Sequence, residues 1–186
     1  MLCWGLAHEV TAVGRHGVLP GCAGYAPPVN ERRPSLLPGV LIGIGLGGFV
    51  DGIVLHQILQ WHHMLTAEGC CPANSVAGVE DNTLADGIFH AVTWTVTLIG
   101  SLAAVKAWRD GRVAPPWSAH VGALLVGWGI FNVIDSANHF ILGLHHIRDD
   151  LGGPLSWDIG FLVFAIALIV VGAAISRRAA PGSDPL

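Results

Sequence analysis

Four long apolar runs dominate the chain, and each one predicts a helix. The runs cover Leu36–Trp61, Leu84–Trp108, Ala119–Leu144 and Leu155–Ser176. At a rise of about 1.5 Å per residue, every run is long enough to cross the ~30 Å hydrocarbon core of a bilayer. We therefore predict an all-α fold in which four transmembrane helices form a bundle.

The composition agrees with a lipid environment. Of the 186 residues, 52% are apolar and 12% are charged, whereas ordinary soluble domains contain about 25% charged residues. The mean hydropathy is +0.59. Only nine Lys and Arg are present, and they are scattered in a chain of net charge -4, which argues against a nucleic-acid partner. The lipid bilayer is the predicted partner, and the formation of a homo-oligomer is left open.

Basic residues near the spans predict the orientation and the domain boundaries. They lie before the first span and after the second and fourth, whereas Arg148 alone lies on the other side. The positive-inside rule then places both termini in the cytoplasm of a bacterial cell, with the chain crossing the inner membrane. The four-helix domain is predicted at 35–178, between poorly ordered tails at 1–34 and 179–186. The first tail lacks the pattern of a signal peptide.

The ends of the first and third runs have similar sequences, which indicates an internal repeat. Residues 51–63 read DGIVLHQILQWHH, and residues 135–146 read DSANHFILGLHH. Both contain His-x5-His-His after an Asp, and the next helices begin similarly at Asp86 and Asp158. We predict two copies of a two-helix unit, related by a pseudo-two-fold axis along the membrane normal. The matching histidines are His56, His62 and His63 in the first copy and His139, His145 and His146 in the second.

The ionisable residues well inside the predicted spans are all Asp or His, without Lys or Arg. A charged Asp in a bilayer is costly unless it is paired, coordinated or neutralised. Imidazole is a ligand for Zn, Cu, Fe and Ni, and its second nitrogen often donates to a carboxylate. We therefore predict an embedded metal centre near the outer leaflet. Its predicted ligands are His56, His90, His139, His63, His146, Asp86 and Asp158, with Asp51, Asp135, His62 and His145 in supporting positions around them.

Helix geometry orders these residues by depth. Three imidazoles, those of His56, His90 and His139, are predicted at a similar depth on three helices. On a continuous helix, His62 and His145 point about 100° away from their neighbours. The residues nearest the outer surface are predicted to form a second site or an access relay: His63, His146, Asp86 and Asp158.

The same residues leave other functions open. A small proton or cation transporter module would use Asp51, Asp135, His56 and His139 as a relay. A b-type haem would take His56 and His139 as axial ligands, but the Asp residues would then face an apolar porphyrin. Hydrogen bonding between helices is the purely structural interpretation. Among these functions we favour the metal centre, with copper, zinc or iron as the bound ion. The protein would then act in copper handling or as a metal-dependent membrane oxidoreductase or hydrolase. The adjacent Cys70 and Cys71 are predicted to be inert loop residues.

Three strings, GFVDGIVLHQILQWHHML, LADGIFH and DSANHFILGLHHIR, resemble a family of bacterial four-helix membrane proteins. This family is catalogued as domain of unknown function twenty-two forty-three. The resemblance covers about Leu36–Arg178, and its motifs occur in the same order. It implies a four-span membrane fold without an established activity. It also implies an association with terminal-oxidase assembly, which makes copper the first metal expected.

Overall fold

The structure is a computed structural model that describes residues 34–66 and 71–178. Its helices are α1 at Leu37–Phe49, α2 at Val76–Arg109, α3 at Trp117–Ala137 and α4 at Leu155–Arg178. Two of them continue as π-helices, α1 over Val50–Ile58 and α3 over Asn138–Leu142, and a 3-10 turn at Asp149–Leu151 precedes α4. The predicted tails lie outside the described residues, apart from Pro34.

The prediction of an all-helical fold with four membrane spans is confirmed for the described residues, which contain no strand. Four helices are long and apolar enough to cross a membrane. α2 begins eight residues before the predicted apolar run, because the side chain of Ser75 caps it by accepting from the amide of Gly78 at 3.1 Å. α1 begins with Pro38 in its first turn, where proline is tolerated because that amide has no helical partner.

The packing order of the helices is α2, α1, α3, α4, so that α1 and α3 form the inner pair. Glycine allows this pair to approach closely. A Cβ added at Gly43 would overlap the backbone of Leu124, and one added at Gly127 would overlap the carbonyl of Val40. Small residues at such interfaces let helix backbones pack together in lipid. The polar ends of α1 and α3 are thereby brought side by side.

Polarity is distributed as expected for a protein immersed in lipid. Large apolar side chains such as Leu98 and Ile99 on α2 and Val170 and Val171 on α4 are exposed. The largest fully buried side chains are polar: His56, His62, His145, Asn132 and Asp158. Because lipid tails are as apolar as leucine, exposed apolar residues cost little there, and the polar groups must satisfy one another inside.

α1 and α3 end in the same way. The amide of Leu59 donates to the carbonyl of Val54 at 2.8 Å, and the amide of Gly143 donates to that of Asn138 at 2.7 Å. These are the i to i-5 hydrogen bonds of a π-helix, a form that is rare and frequently found at functional sites.

Immediately after each π-helix the backbone turns left-handed. Gln60 has φ +51° and Gly143 has φ +65°, and a left-handed residue is a common way to end a helix. The chain therefore leaves the helix axis before His62 and His145. Our sequence interpretation had continued both helices through this point, to Trp61 and Leu144.

Candidate metal centre

The first carboxylate of the site lies between two imidazoles of its own repeat. Asp51 Oδ2 is 3.2 Å from His56 Nε2, and Asp51 Oδ1 is 3.7 Å from His62 Nε2. Asp51 and His56 belong to the π-helical end of α1, whose wider turn keeps residues five apart near one face. His62 reaches the same carboxylate because the chain turns back at Gln60.

The second repeat makes the matching arrangement. Asp135 Oδ2 is 3.5 Å from His139 Nε2, and Asp135 Oδ1 is 3.8 Å from His145 Nε2. Here Asp135 lies on the last turns of α3, His139 on its π-helix, and His145 beyond the left-handed Gly143. Each repeat thus supplies one carboxylate and two imidazoles.

The two arrangements are in contact with each other. The rings of His62 and His145 are stacked, with centroids 4.7 Å apart and planes 10° apart. Nitrogen ligand atoms of His56, His62 and His145 lie within 4.8 Å of one another, and so do ligand atoms of Asp135, His139 and His145. We call the six residues together the His4Asp2 cluster: Asp51, His56, His62, Asp135, His139 and His145.

The His4Asp2 cluster is buried, and none of its residues is more than 5% exposed. Every ion pair that Asp51 and Asp135 make with the described residues is to an imidazole. The Nε2 atoms of all four histidines are buried without a hydrogen-bond partner among the described residues. Four unused imidazole nitrogens therefore converge on two carboxylates.

Backbone carbonyls determine the tautomers of the stacked pair. Nδ1 of His62 is 3.2 Å from the carbonyl of Ile147, and Nδ1 of His145 is 3.3 Å from the carbonyl of Met64. Because a carbonyl only accepts, each Nδ1 carries the hydrogen, and a neutral ring then keeps a lone pair on Nε2. Burial lowers the pKa of His145 well below its ordinary value, and positive charge on His62 or His139 would lower it further.

Two further carboxylates lie behind the imidazoles, on the Nδ1 side. His56 Nδ1 donates to Asp86 Oδ1 at 2.8 Å, whereas His139 Nδ1 is 3.6 Å from Asp158 Oδ1. Asp158 also accepts from His146 Nδ1 at 2.8 Å and from the amide of Ile147 at 3.0 Å. Metal-bound histidines usually donate their other N–H to such a carboxylate. The predicted ligands Asp86 and Asp158 thus lie behind the imidazoles, on their Nδ1 side, while the four predicted supporting residues join His56 and His139 in the cluster.

The structure brings none of the other three predicted ligand histidines into the ligand-atom groups found among the described residues. His90 lies against α1, where a Cβ at Gly52 would be 2.5 Å from its Nε2, and its ring is stacked 6.1 Å from Phe49. His146 is bound to Asp158, and His63 lines a neighbouring cavity.

This cavity of about 430 Å³ opens beside the first repeat. It is lined by His56, Asp86 and mostly polar neighbours, including His63, His90, Gln57, Gln60, Asn82 and Thr83. On the side of the second repeat, Asp158 is fully buried. The polar cavity therefore reaches the cluster beside Asp86 on α2, whereas the corresponding Asp158 on α4 is closed off.

One of the two adjacent cysteines lies within the described residues. Cys71 is disulfide-bonded, and Cys70 lies outside the described residues. A thiol is therefore absent at Cys71 in this state, and the cluster draws its ligand atoms from His and Asp.

These features define the class of the protein: an integral membrane protein of four helices with a buried His/Asp cluster. The family described as Predicted membrane protein (DUF2243) matches residues 38–179. The chain belongs to this family, which confirms the resemblance seen in its sequence motifs. No curated protein and no solved structure gives a significant match to the chain.

Proposed function

We propose that this protein is an integral membrane metalloprotein whose His4Asp2 cluster binds transition-metal ions near the outer leaflet. One observation carries the proposal: four buried Nε2 atoms without hydrogen-bond partners converge on two carboxylates whose ion pairs with described residues are all to imidazoles. Its role is then copper handling, linked to a respiratory oxidase, or metal-dependent chemistry at the membrane.

The electrostatic argument is one of compensation. A buried carboxylate needs a positive partner, because water and its high dielectric are absent. A neutral imidazole does not supply that charge, and a protonated one gives up the Nε2 lone pair. A metal ion satisfies both groups at once, since it neutralises the carboxylate and accepts the lone pairs.

The donor set narrows the choice of metal. Each repeat offers two imidazoles and one carboxylate, a combination used by zinc sites and by non-haem iron sites. The share of imidazoles and the position on the oxidising side of the membrane lead us to place copper first. Asp51, His56 and His62 would hold an ion in one half, and Asp135, His139 and His145 in the other. A bound ion would supply Lewis-acid or redox chemistry there.

Two alternatives use the same residues. A proton or cation module is favoured by the contact of Asp86 with His56 and of His56 with Asp51. A proton path across the whole membrane is not favoured, because α1 carries only glycine, proline and apolar residues over 37–50. Haem fits poorly, because the ring of His62 lies 4.4 Å from that of His56 and the ring of His145 lies 4.9 Å from that of His139. These rings occupy the space that a porphyrin between His56 and His139 requires.

The test is metal analysis of the full chain purified in detergent, with an absorption spectrum recorded alongside. We expect bound copper, zinc or iron without a Soret band. A Soret band would establish haem instead, and the absence of both metal and haem would favour the transporter module. His56→Ala and His139→Ala should each reduce the metal content, whereas His120→Ala at the other end of α3 should not. Equal metal content in all three variants would refute the ligand assignment.

A further inference from the structure

A second cleft lies between α1, α3 and α4, with a volume of about 350 Å³. Five aromatic side chains line it: Trp61, Trp128, Trp157, Phe161 and Phe164. Its polar lining residues are Asp51, Asn132 and Ser156. Ser156 is exposed at the outer end of α4, whereas Asp51 and Asn132 are buried.

The two buried polar residues present one donor and one acceptor without a partner. Asn132 is 2% exposed, and its Nδ2 has no hydrogen-bond partner among the described residues. The same holds for Asp51 Oδ1, which is only within ion-pair range of His62. By contrast, Nδ2 of the other buried asparagine, Asn82, donates to the carbonyls of Cys71 and Gly78 at 2.8 and 2.9 Å. A buried amide N–H normally finds an acceptor, so an acceptor is expected in this cleft.

The aromatic walls hold one another in place. Trp61 and Trp157 meet edge to face, with centroids 5.6 Å apart, and Trp128 and Phe164 do so at 6.0 Å. The guanidinium of Arg148 lies over both tryptophans of the first pair, at 4.6 and 5.1 Å from their centroids. Walls of this kind favour a flat, unsaturated ring over a flexible chain.

We propose that this cleft binds the head group of a lipid-soluble quinone or quinol. A quinone carbonyl accepts from Asn132 Nδ2, and a quinol hydroxyl can in addition donate to Asp51. The carboxylate of Asp51 disfavours a phosphate or fatty-acid head group, and a bare acyl chain would leave Asn132 unpaired. Binding of a quinone through Asn132 does not depend on the metal, whereas a quinol that donates to Asp51 would share this carboxylate with the ion of the proposed function.

Another cleft of the molecule serves as an internal comparison. It lies between α1 and α3, has a volume of about 450 Å³, and is lined by apolar residues such as Leu46, Phe49 and Ile53, without a polar side chain. This surface suits an acyl chain. The two clefts are similar in size, but the first one combines five aromatic side chains with a pair of unpaired polar groups.

The experiment is a titration of the full chain, purified in detergent, with decylubiquinone, followed by quenching of tryptophan fluorescence. Gly160 lines the cleft, and a Cβ there meets no atom within 4 Å, so Gly160→Phe can fill the cleft without a backbone clash. Gly87 on α2 is equally open and lies outside the cleft, which makes Gly87→Phe the matched control. We expect saturable quenching in the wild type and in Gly87→Phe, and its loss in Gly160→Phe.

A second variant tests the polar contact. Asn132→Leu keeps the approximate shape and removes the donor, so the dissociation constant should rise about tenfold, as expected for a lost buried hydrogen bond. Unchanged affinity in Asn132→Leu would overturn the head-group assignment, because apolar contact alone would then hold the ligand. Saturable quenching that persists in Gly160→Phe, or is absent in the wild type, would overturn the site itself. Metal-loaded and metal-stripped protein should bind alike, so a failure of the metal proposal would be seen separately.

Discussion

The hydrogen bond between Asp86 and His56 gives the sharpest test of the proposed metal centre. Asp86 Oδ1 accepts from His56 Nδ1 at 2.8 Å, and the His56 side chain is fully buried. Asp86→Asn retains the size of the side chain and an oxygen that accepts from Nδ1, but it removes the negative charge. The substitution should therefore weaken the His56 ligand while leaving the fold intact.

The magnitude follows from the contact. Loss of a group that orients a metal ligand typically weakens metal affinity by about 10–100-fold, or ~1.4–2.7 kcal/mol. The effect at Asp86 should be near the lower end, because Asn keeps an oxygen that accepts from His56 Nδ1 and only the negative charge is lost. The matching Asp158→Asn should weaken binding less, since His139 Nδ1 lies 3.6 Å from Asp158, beyond hydrogen-bond range. It should instead loosen the loop held through His146 and Ile147.

The assay is a titration of the metal-stripped chain with Zn²⁺ buffered by a competing chelator, in detergent and at fixed pH. Asp81→Asn, on the exposed face of the same helix, is the control for loss of one charge. Far-UV circular dichroism and thermal unfolding of the metal-stripped variants establish that they are folded. Equal zinc affinity in the Asp86→Asn and Asp81→Asn proteins would refute the reasoning.

Three other outcomes follow from the geometry. His62→Asn and His145→Asn should each lose bound metal, and His145→Asn should lose more, because ligand atoms of His145 belong to both groups in the cluster and those of His62 to one; unchanged metal content in His145→Asn would contradict the shared ligand position. Gly143→Ala should lower the free energy of unfolding by ~1–2 kcal/mol because φ is +65° there. Gly87→Ala, on a regular helix, should raise the free energy of unfolding by ~0.5–1 kcal/mol. The added Cβ meets no atom within 4 Å at either position, so thermal unfolding measures the backbone effect alone. Gly43→Val should destabilise by about 1–3 kcal/mol, since the added Cβ overlaps the backbone of α3, and unchanged unfolding would show that α1 and α3 are not so closely packed.

The sequence predicts the fold correctly where one run of apolar residues extends over a whole helix. Four apolar runs give four spans, and their glycines mark the close approach of α1 and α3. The repeated His-x5-His-His pattern brought His56 and His139 to one site, although the repeat unit itself stays a prediction. These conclusions need only helical geometry and the cost of burying charge.

Helical geometry also explains where sequence reasoning about the site differed from the structure. On a continuous helix, His62 lies about 16 Å along the axis from Asp51, and His145 about 15 Å from Asp135. Both also point about 100° away from their neighbours, so the sequence predicts supporting positions for them. In the structure each lies beyond a π-helix and a left-handed residue, which turn it back toward the carboxylate. Gly143 was the available signal, since glycine commonly ends a helix in this conformation. Gln60 gave no such signal, because a left-handed conformation is uncommon for a residue other than glycine.

The contacts across the two repeats indicate why one of them alone would not make this site. His62 donates to the carbonyl of Ile147, and His145 donates to that of Met64, so each repeat orients its inner imidazole with the backbone of the other. The stacked pair and the shared ligand position of His145 also exist only when both repeats are present. The neighbouring helices differ, however: α2 provides His90 beside a polar cavity, while Leu162 stands at the corresponding place on α4. The two halves of the cluster thus have matching contacts but unequal surroundings, so an ion bound as proposed should exchange faster beside Asp86 than beside the fully buried Asp158.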